Sequence, residues 1–130
     1  MNLKDYFEGT RGMGILSTAD DTGRVNAAVY ARPHVMADGS LGFIMRDRLS
    51  HHNLQSNPHA AFLFREEGPG FKGIRLHLTK TSEESGTPLV KEICRRCRID
   101  DKPDAVRFLV VFNTDKERPL IGDGESGQES

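Results

Sequence analysis

What the sequence lacks excludes several classes of protein. The chain of 130 residues has no tryptophan, two cysteines and two tyrosines. Two cysteines are too few for a disulfide-stabilised scaffold, and no stretch approaches the roughly eighteen consecutive apolar residues of a membrane-spanning helix. Eighteen basic and nineteen acidic residues nearly cancel, which excludes a generally cationic nucleic-acid-binding protein. The N-terminal residues lack the apolar core of a signal peptide. We therefore expect a cytoplasmic protein that binds neither nucleic acid nor membrane.

The length is that of one domain. Residues 122–130 (Gly-Asp-Gly-Glu-Ser-Gly-Gln-Glu-Ser) are polar and of low complexity, which predicts a disordered tail. We therefore expect a single folded domain over residues 1–121, followed by this tail.

Short alternating apolar stretches predict a mostly β fold with a few helices. Strands are expected over residues 14–19, 24–32, 41–46, 60–64, 71–81 and 106–113. Helices are expected over residues 49–56 and 88–98, the second with Thr87 as its N-cap and Pro88 in its first position. Because six short strands would leave unpaired edges in an open sheet, we predict a small barrel.

Two strands predict an apolar surface outside this barrel. Residues 62–64 and 108–112 are apolar on both faces, and one small interior cannot accept both faces of two strands. The outward residues need cover from the helix over residues 88–98 or from a second subunit. Because one short helix covers only part of this surface, we predict a homodimer.

Two motifs suggest chemistry but have simpler structural interpretations. Cys94 and Cys97 have the spacing of a redox or zinc-binding pair. They fall late in a helix, on its apolar stripe, and no second pair of ligands follows, so we favour packing in the core. His51, His52 and His59 could suggest a metal cluster. Neighbouring helical residues point about 100° apart, and no acidic residue follows His51 or His52 by three or four positions. We therefore expect these histidines at the surface or at an interface.

A segment between the third and fourth strands carries the residues of a phosphate site. Arg46 and Arg48 leave the end of a strand, and Ser50 and Asn53 follow at the start of a short helix. Guanidinium groups and free N–H groups at a helix start bind phosphate well. A solvated turn with unrelated charges explains the composition equally well.

The stretch that contains this segment resembles a known family. Residues 43–64, Phe-Ile-Met-Arg-Asp-Arg-Leu-Ser-His-His-Asn-Leu-Gln-Ser-Asn-Pro-His-Ala-Ala-Phe-Leu-Phe, are similar to the central signature of the pyridoxamine 5′-phosphate oxidase-like FMN-binding split barrels. That signature is a strand, then Ser-x-Lys-x-x-Asn-Leu-x-x-Asn-Pro, then an apolar strand. Residues 14–18 and 25–32 also resemble the family's first hairpin. The resemblance implies a six-stranded split β-barrel of the FMN-binding type, forming a homodimer with FMN in two clefts between the subunits.

The resemblance also implies which residues contact FMN. The second strand would lie along the flavin ring and ribityl chain, and the end of the third strand would meet the ribityl and phosphate groups. Arg48 and Ser50 occupy the positions of the signature's serine and lysine, and Asn53 that of its asparagine. The predicted dimer interface would also bring Lys72, Arg75 and His77 of one chain near the cleft of the other. The implied contact residues are Ala27, Ala28, Val29, Tyr30, Arg32, Met45, Arg46, Arg48, Ser50, Asn53, Lys72 and Arg75.

A flavin-dependent oxidoreductase with an unknown small-molecule substrate is the function that this resemblance implies. The protein would supply orientation and electrostatics for hydride transfer at flavin N5, with Tyr30 and His77 as the nearest candidates for an acid or base. The substrate-holding motifs of true vitamin B6 oxidases have no counterpart here, so we do not expect that activity. Two alternatives stay open: a flavin or haem carrier or sensor without turnover, and a structural dimer with a vestigial cleft, suggested by Ser50 at the lysine position.

Overall fold

The computed structural model describes residues 2–96 and 106–122. The helices are α1 (Leu3–Gly9), α2 (Leu49–Ser56) and α3 (Pro88–Arg96). The strands are β1 (Gly12–Ala19), β2 (Val25–Tyr30), β3 (His34–Val35), β4 (Leu41–Arg46), β5 (His59–Glu66), β6 (Gly73–Ser85) and β7 (Arg107–Pro119). Across these residues, no helix has both the length and the apolar character needed to cross a membrane.

The strands form one antiparallel sheet in the order β2-β1-β5-β6-β7-β4-β3. The predicted count of six is wrong, because His34 and Val35, which follow Pro33, pair with β4 as a seventh short strand. Among the described residues the end strands β2 and β3 do not pair with each other. Instead, the ring of Tyr30 on β2 meets that of Phe43 on β4 edge to face, with centroids 6.1 Å apart. The mostly β sheet thus curls into a barrel that stays open between β2 and β4, along a line that we call the seam.

Aromatic side chains fill the concave side of the sheet. Helix α1, which the sequence pattern did not predict, closes one end of this core. The side chain of its N-cap, Asn2, accepts a hydrogen bond from the Asp5 N–H at 3.2 Å. Phe7 of α1 then packs edge to face on Phe62 and Phe64 of β5.

Helix α3 covers the convex side of β4 and β7. The hydroxyl of Thr87 accepts a hydrogen bond from the Val90 N–H at 3.3 Å, which confirms the predicted N-cap. Val90 and Ile93 are buried against Leu109, and the partly buried Cys94 packs on the same cluster. The packing of Cys94 is therefore as predicted. Residues 97 and 98, the predicted second cysteine and helix end, lie outside the described residues.

Strands β6 and β7 extend further than their apolar patterns indicate. They end at Ser85 and Pro119, whereas the patterns predict ends at residues 81 and 113. The added residues, 82–85 of β6 and 114–119 of β7, are mostly polar, and most of them pair with the opposite strand. The register of this pairing shifts between His77 and Leu78 and again between Lys80 and Ser82. Backbone pairing and polar side-chain bonds hold these ends in the sheet, so no apolar alternation marks them in the sequence.

The convex side of β1, β2 and β5 is apolar and exposed. Val29, Ile15 and Leu63 lie directly opposite one another across the three strands. Val29 is 71% exposed, Val25 77% and Met13 52%. The described residues leave this surface, which we call the outer face, open to solvent.

Close backbone packing requires a glycine at the start of β6. Gly73 pairs with Arg65 and has φ +153°, and an added Cβ would overlap the carbonyl oxygen of Phe64 and lie 2.9 Å from its carbonyl carbon. Because these backbone atoms cannot rotate away, we expect Gly73→Ala to lower the free energy of unfolding by about 1–3 kcal/mol. Gly9→Ala, where no atom lies within 4 Å, is the matched control. Urea denaturation measures both variants, and equal stabilities would contradict this account.

Candidate functional site

The start of α2 offers hydrogen-bond donors to an anion. Its N-cap is Arg48, in an extended conformation, and the Arg48 side chain makes no capping hydrogen bond. The N–H groups of Leu49, Ser50 and His51 have no acceptor inside the helix, and the helix dipole favours negative charge at this end. We call the Arg48 side chain together with these three N–H groups the anion site.

The Tyr30 hydroxyl connects the anion site to the seam. Tyr30 shares a hydrogen bond with Ser50, a residue that is 5% exposed. Burial raises the pKa of Tyr30, and the hydrogen bond with Ser50 and the charge of Arg48 offset part of that rise. The phenol therefore stays protonated near neutral pH. The fold thus brings together three of the predicted contact residues: Tyr30 from β2, and Arg48 and Ser50 from the start of α2.

Two other predicted contact residues are buried inside the protein. Asn53 is 3% exposed, and its Nδ2 donates to Thr18 Oγ1 at 3.0 Å, which ties α2 to β1. Met45 is 1% exposed and belongs to the core. Its side chain faces the barrel interior, so only its main chain is available to a ligand. Arg46, which is partly buried, ends β4 opposite Arg107.

The predicted contacts on β2 divide between two faces. Ala27 and Val29 point to the exposed outer face, whereas Ala28 and Tyr30 are partly buried on the other side. Because successive side chains of a strand point to opposite faces, a ligand on one face would contact only alternate residues. A ligand lying along the free edge of this end strand would contact the main chain of both sets.

Arg32 follows β2 and holds the end of α1. Its Nη1 donates to the carbonyl oxygens of Phe7 at 2.7 Å and Thr10 at 2.8 Å. The same residue borders an open cavity of about 680 Å³. The cavity is lined by Arg11, Gly12, Met13, Arg32, Arg65 and Glu67.

The basic residues of the β5–β6 region do not lie at the seam. Lys72 is exposed in the loop before β6. Arg75 lies opposite Leu63 on the outer face, and its guanidinium donates to the carbonyl oxygens of Pro119, at 2.9 Å, and Gly122. His77 is exposed two residues further along β6, where its Nε2 accepts from the Arg118 side chain at 3.1 Å.

Residues 123–130 of the predicted tail lie outside the described residues. Gly122, the first residue of that tail, accepts the hydrogen bond from Arg75.

His51 belongs to a polar network that the sequence did not reveal. Its Nδ1 lies 3.2 Å from Asp47 Oδ1 and its Nε2 lies 3.0 Å from Glu83 Oε2. The ring stacks on Phe108 with centroids 3.8 Å apart, and the residue is 6% exposed. The expectation of a surface position is therefore wrong for His51, because the ring packs on Phe108 and the partly buried Glu83 pairs with it there. The four-residue spacing between Asp47 and His51 is a local sequence signal that could have indicated this contact.

The other two histidines of the motif, His52 and His59, are exposed. In the described part of the chain no group of three or more His, Cys, Asp or Glu side chains is arranged to hold a metal ion.

Glu83 gathers three donors at this network. Gln55 Nε2 and Lys80 Nζ donate to its Oε1 at 2.9 and 2.6 Å. Burial raises the pKa of Glu83, but the hydrogen bonds from Gln55, Lys80 and His51 and the charge of His51 outweigh it. Together, these hydrogen bonds and the charge of His51 lower the pKa of Glu83 from 4.5 to about 2. The carboxylate therefore stays charged at neutral pH and ties α2 to β6.

The lowered pKa predicts an acid-sensitive contribution to stability. Because the unfolded chain takes up this proton first, the contribution is complete above pH 4.5 and is lost as the pH falls towards 2. The side chain is 23% exposed, so we expect Glu83→Gln to lower the free energy of unfolding near pH 7 by only about 1–2 kcal/mol. Urea denaturation near pH 7, 5 and 3, with Glu8→Gln as the control, should show this difference shrinking on acidification. A difference that is constant with pH would count against the network.

Solved structures share this fold. An FMN-binding protein from Syntrophomonas wolfei subsp. wolfei is 18% identical, with a TM-score of 0.73 over 92% of this chain and 84% of that chain. A provisionally assigned pyridoxamine 5′-phosphate oxidase from Listeria innocua is 18% identical, with a TM-score of 0.65 over 88% and 91%. The haem storage protein HutZ from Vibrio cholerae is 17% identical, with a TM-score of 0.62 over 88% and 96%.

No family model matches the chain, and no curated protein matches it in sequence. The structural similarity establishes architecture, whereas function has to be argued from the site. The chain therefore has the split-barrel fold of the pyridoxamine 5′-phosphate oxidase-like proteins.

Proposed function

We propose that this chain binds FMN along the seam, with the phosphate at the anion site. The observation that carries the proposal is the convergence of Arg48, Ser50 and Tyr30 at a helix start whose N-cap side chain makes no capping bond. A phosphate dianion is the ligand chemistry that suits a guanidinium beside free N–H groups.

The residues present fit the rest of this cofactor. A flavin needs a slot for a flat ring and hydrogen-bond partners near its polar edge. β2 is an end strand, so one edge of its backbone remains available, and the small side chains of Ala27 and Ala28 allow a ring to approach that edge. Ser50 stands where the family signature has lysine, and Arg48, two residues earlier, supplies the positive charge.

The proposed functional unit is a homodimer joined through the outer face. β2 contributes Val29 to that face and Tyr30 to the seam, so a second copy on the outer face would lie beside the FMN. Lys72, Arg75 and His77 of one chain would then border the seam of the other. The site would thus be built from two copies of this chain.

The proposed activity is that of a flavin-dependent oxidoreductase acting on an unknown small molecule. Bound FMN would supply hydride or single-electron transfer. The chain's own residues would bind and orient it: Arg48 and the N–H groups of the anion site would hold the phosphate, and the partly buried Tyr30 hydroxyl would keep Ser50 in place.

The test is a titration of ligand-free protein with FMN, riboflavin and haemin. We expect the fluorescence of FMN to be quenched when it binds. FMN should bind at least about tenfold more tightly than riboflavin, because riboflavin lacks the phosphate. Haem is the alternative ligand, since HutZ shares this fold, and preferential haemin binding would overturn the FMN assignment. Reduction of the bound flavin by a reduced nicotinamide, followed by turnover with an acceptor, would distinguish an enzyme from a carrier.

A further inference from the structure

We propose that the open cavity beside Arg32 binds a small molecule that carries two or more carboxylate or phosphate groups. The cavity, which we call the arginine cavity, has a volume of about 680 Å³, which is typical of small-molecule sites. Its lining residues are Arg11, Gly12, Met13, Arg32, Arg65 and Glu67. None of these residues belongs to the anion site, so the inference does not depend on the binding of FMN.

The charges that line the arginine cavity favour an anionic ligand. Three guanidinium groups and one carboxylate leave a net charge of +2. Within residues 2–96 and 106–122, none of the three arginines forms an ion pair with a carboxylate. An incoming carboxylate or phosphate would therefore not have to displace an acidic side chain of the protein.

Main-chain carbonyl groups hold two of the guanidinium groups in place. Arg32 Nη1 donates to the carbonyl oxygens of Phe7 at 2.7 Å and Thr10 at 2.8 Å. Arg65 Nη2 donates to the carbonyl oxygen of Gly70 at 2.9 Å. These bonds use one nitrogen of each guanidinium group. The other nitrogens can form the paired hydrogen bonds that arginine makes with a carboxylate or a phosphate.

Contacts between neighbouring loops fix the other side of the arginine cavity. The Arg65 guanidinium lies over the ring of Phe71, 5.4 Å from its centroid. The Glu67 N–H donates to the carbonyl oxygen of Arg11 at 2.8 Å, which joins the residues after β5 to those before β1. A site whose charged groups are already held in place loses less conformational entropy when a ligand binds.

The arginine cavity and the anion site lie near opposite ends of β4. Arg32 belongs to the segment that joins β2 to β3, and β3 pairs with the start of β4 through Val35 and Leu41. The anion site follows the end of β4, after Arg46. A ligand in the arginine cavity would therefore not compete with a phosphate at the anion site.

The experiment is isothermal titration calorimetry of ligand-free protein with succinate, pyrophosphate and uncharged succinamide. We expect the two anions to bind and succinamide not to bind, because succinamide has no charge to pair with the guanidinium groups. The tighter of the two anions identifies the preferred group, carboxylate or phosphate. In a parallel NMR titration, the Nε–H signal of Arg32 should shift with that anion, which locates the binding at the arginine cavity.

Two substitutions of exposed residues should change the affinity in opposite directions. Arg11→Gln removes a positive charge and should weaken binding of the preferred anion about three- to tenfold. Glu67→Gln removes the negative charge of the cavity and should strengthen binding about two- to fivefold. Arg24→Gln and Asp21→Asn, in the exposed turn between β1 and β2, are the matched controls and should bind as the wild type does.

The inference would be overturned by wild-type protein that binds neither anion at millimolar concentration. Binding that leaves the Arg32 signal unmoved, or that is equal in Arg11→Gln, Glu67→Gln and the two controls, would also overturn it. Failure of the wild type to bind FMN while succinate or pyrophosphate still shifts the Arg32 signal would overturn the proposed function alone.

One further result would give the arginine cavity a different occupant. Met13 belongs to both the arginine cavity and the outer face, so a second copy of the chain could reach the cavity. If the anions bind only to Val29→Asp with Leu63→Asp, a variant designed to be monomeric, the second copy fills the cavity and the small-molecule assignment is wrong.

Discussion

Replacing Arg46 and Arg48 together by alanine should raise the FMN dissociation constant about ten- to a hundredfold. A charge-assisted hydrogen bond to phosphate contributes about 1.5–3 kcal/mol, and each 1.4 kcal/mol is roughly tenfold in affinity. Arg48 is exposed at the N-cap of α2, and Arg46 ends β4 two residues before it. Both guanidinium groups are thus carried by the main chain that leads into the anion site.

Riboflavin is the informative comparison for this double variant. Because it lacks the phosphate, its affinity should change much less than that of FMN. Arg24→Ala, which removes an exposed arginine from the turn between β1 and β2, should leave both affinities unaltered. Circular dichroism confirms that each variant is folded. If the double variant binds FMN as tightly as the wild type, the proposal that the FMN phosphate binds at the anion site is wrong.

Placing aspartates on the outer face should convert the proposed dimer into monomers that do not hold the proposed FMN. Val29 and Leu63 lie on either side of Ile15 in one row across the sheet, and burying an unpaired charge there is unfavourable. A stable apolar interface is expected to bury on the order of 2,000 Å². We therefore expect Val29→Asp with Leu63→Asp to have a monomeric mass by light scattering at low micromolar concentration and to lose most of its FMN.

Leu89→Asp is the matched control for the dimer. Leu89 is an exposed apolar residue (39%) in α3, away from the outer face, so this variant should remain dimeric and should retain FMN. A wild-type protein that is monomeric with FMN bound would contradict both the interface and the shared cleft. A double variant that becomes monomeric but keeps full FMN affinity would contradict the shared cleft alone.

Local signals in the sequence predicted the elements that carry the anion site. β4 and α2 have the predicted bounds, 41–46 and 49–56, because a turn precedes the strand and Asn57-Pro58 stops the helix. The six expected strands are all present. The seventh, His34–Val35, is too short to show alternation and exists only because β4 pairs with it.

Long-range contacts explain what the sequence could not show. α1 is a short helix whose place depends on Phe7 packing against β5. The bond between His51 and Glu83 joins residues 32 positions apart, and no local pattern marks such a pair. Arg75 illustrates the same limit, because its guanidinium binds the main chain at Pro119, on a strand whose length the apolar pattern underestimated.

The absorbance spectrum of the protein as purified, with mass spectrometry of the ligand released on denaturation, tests the central claim most directly. The account predicts a yellow protein with oxidised-flavin bands and a released species with the mass of FMN, at about one per chain. A colourless protein that takes up no FMN on incubation, or a Soret band with released haem, would contradict it.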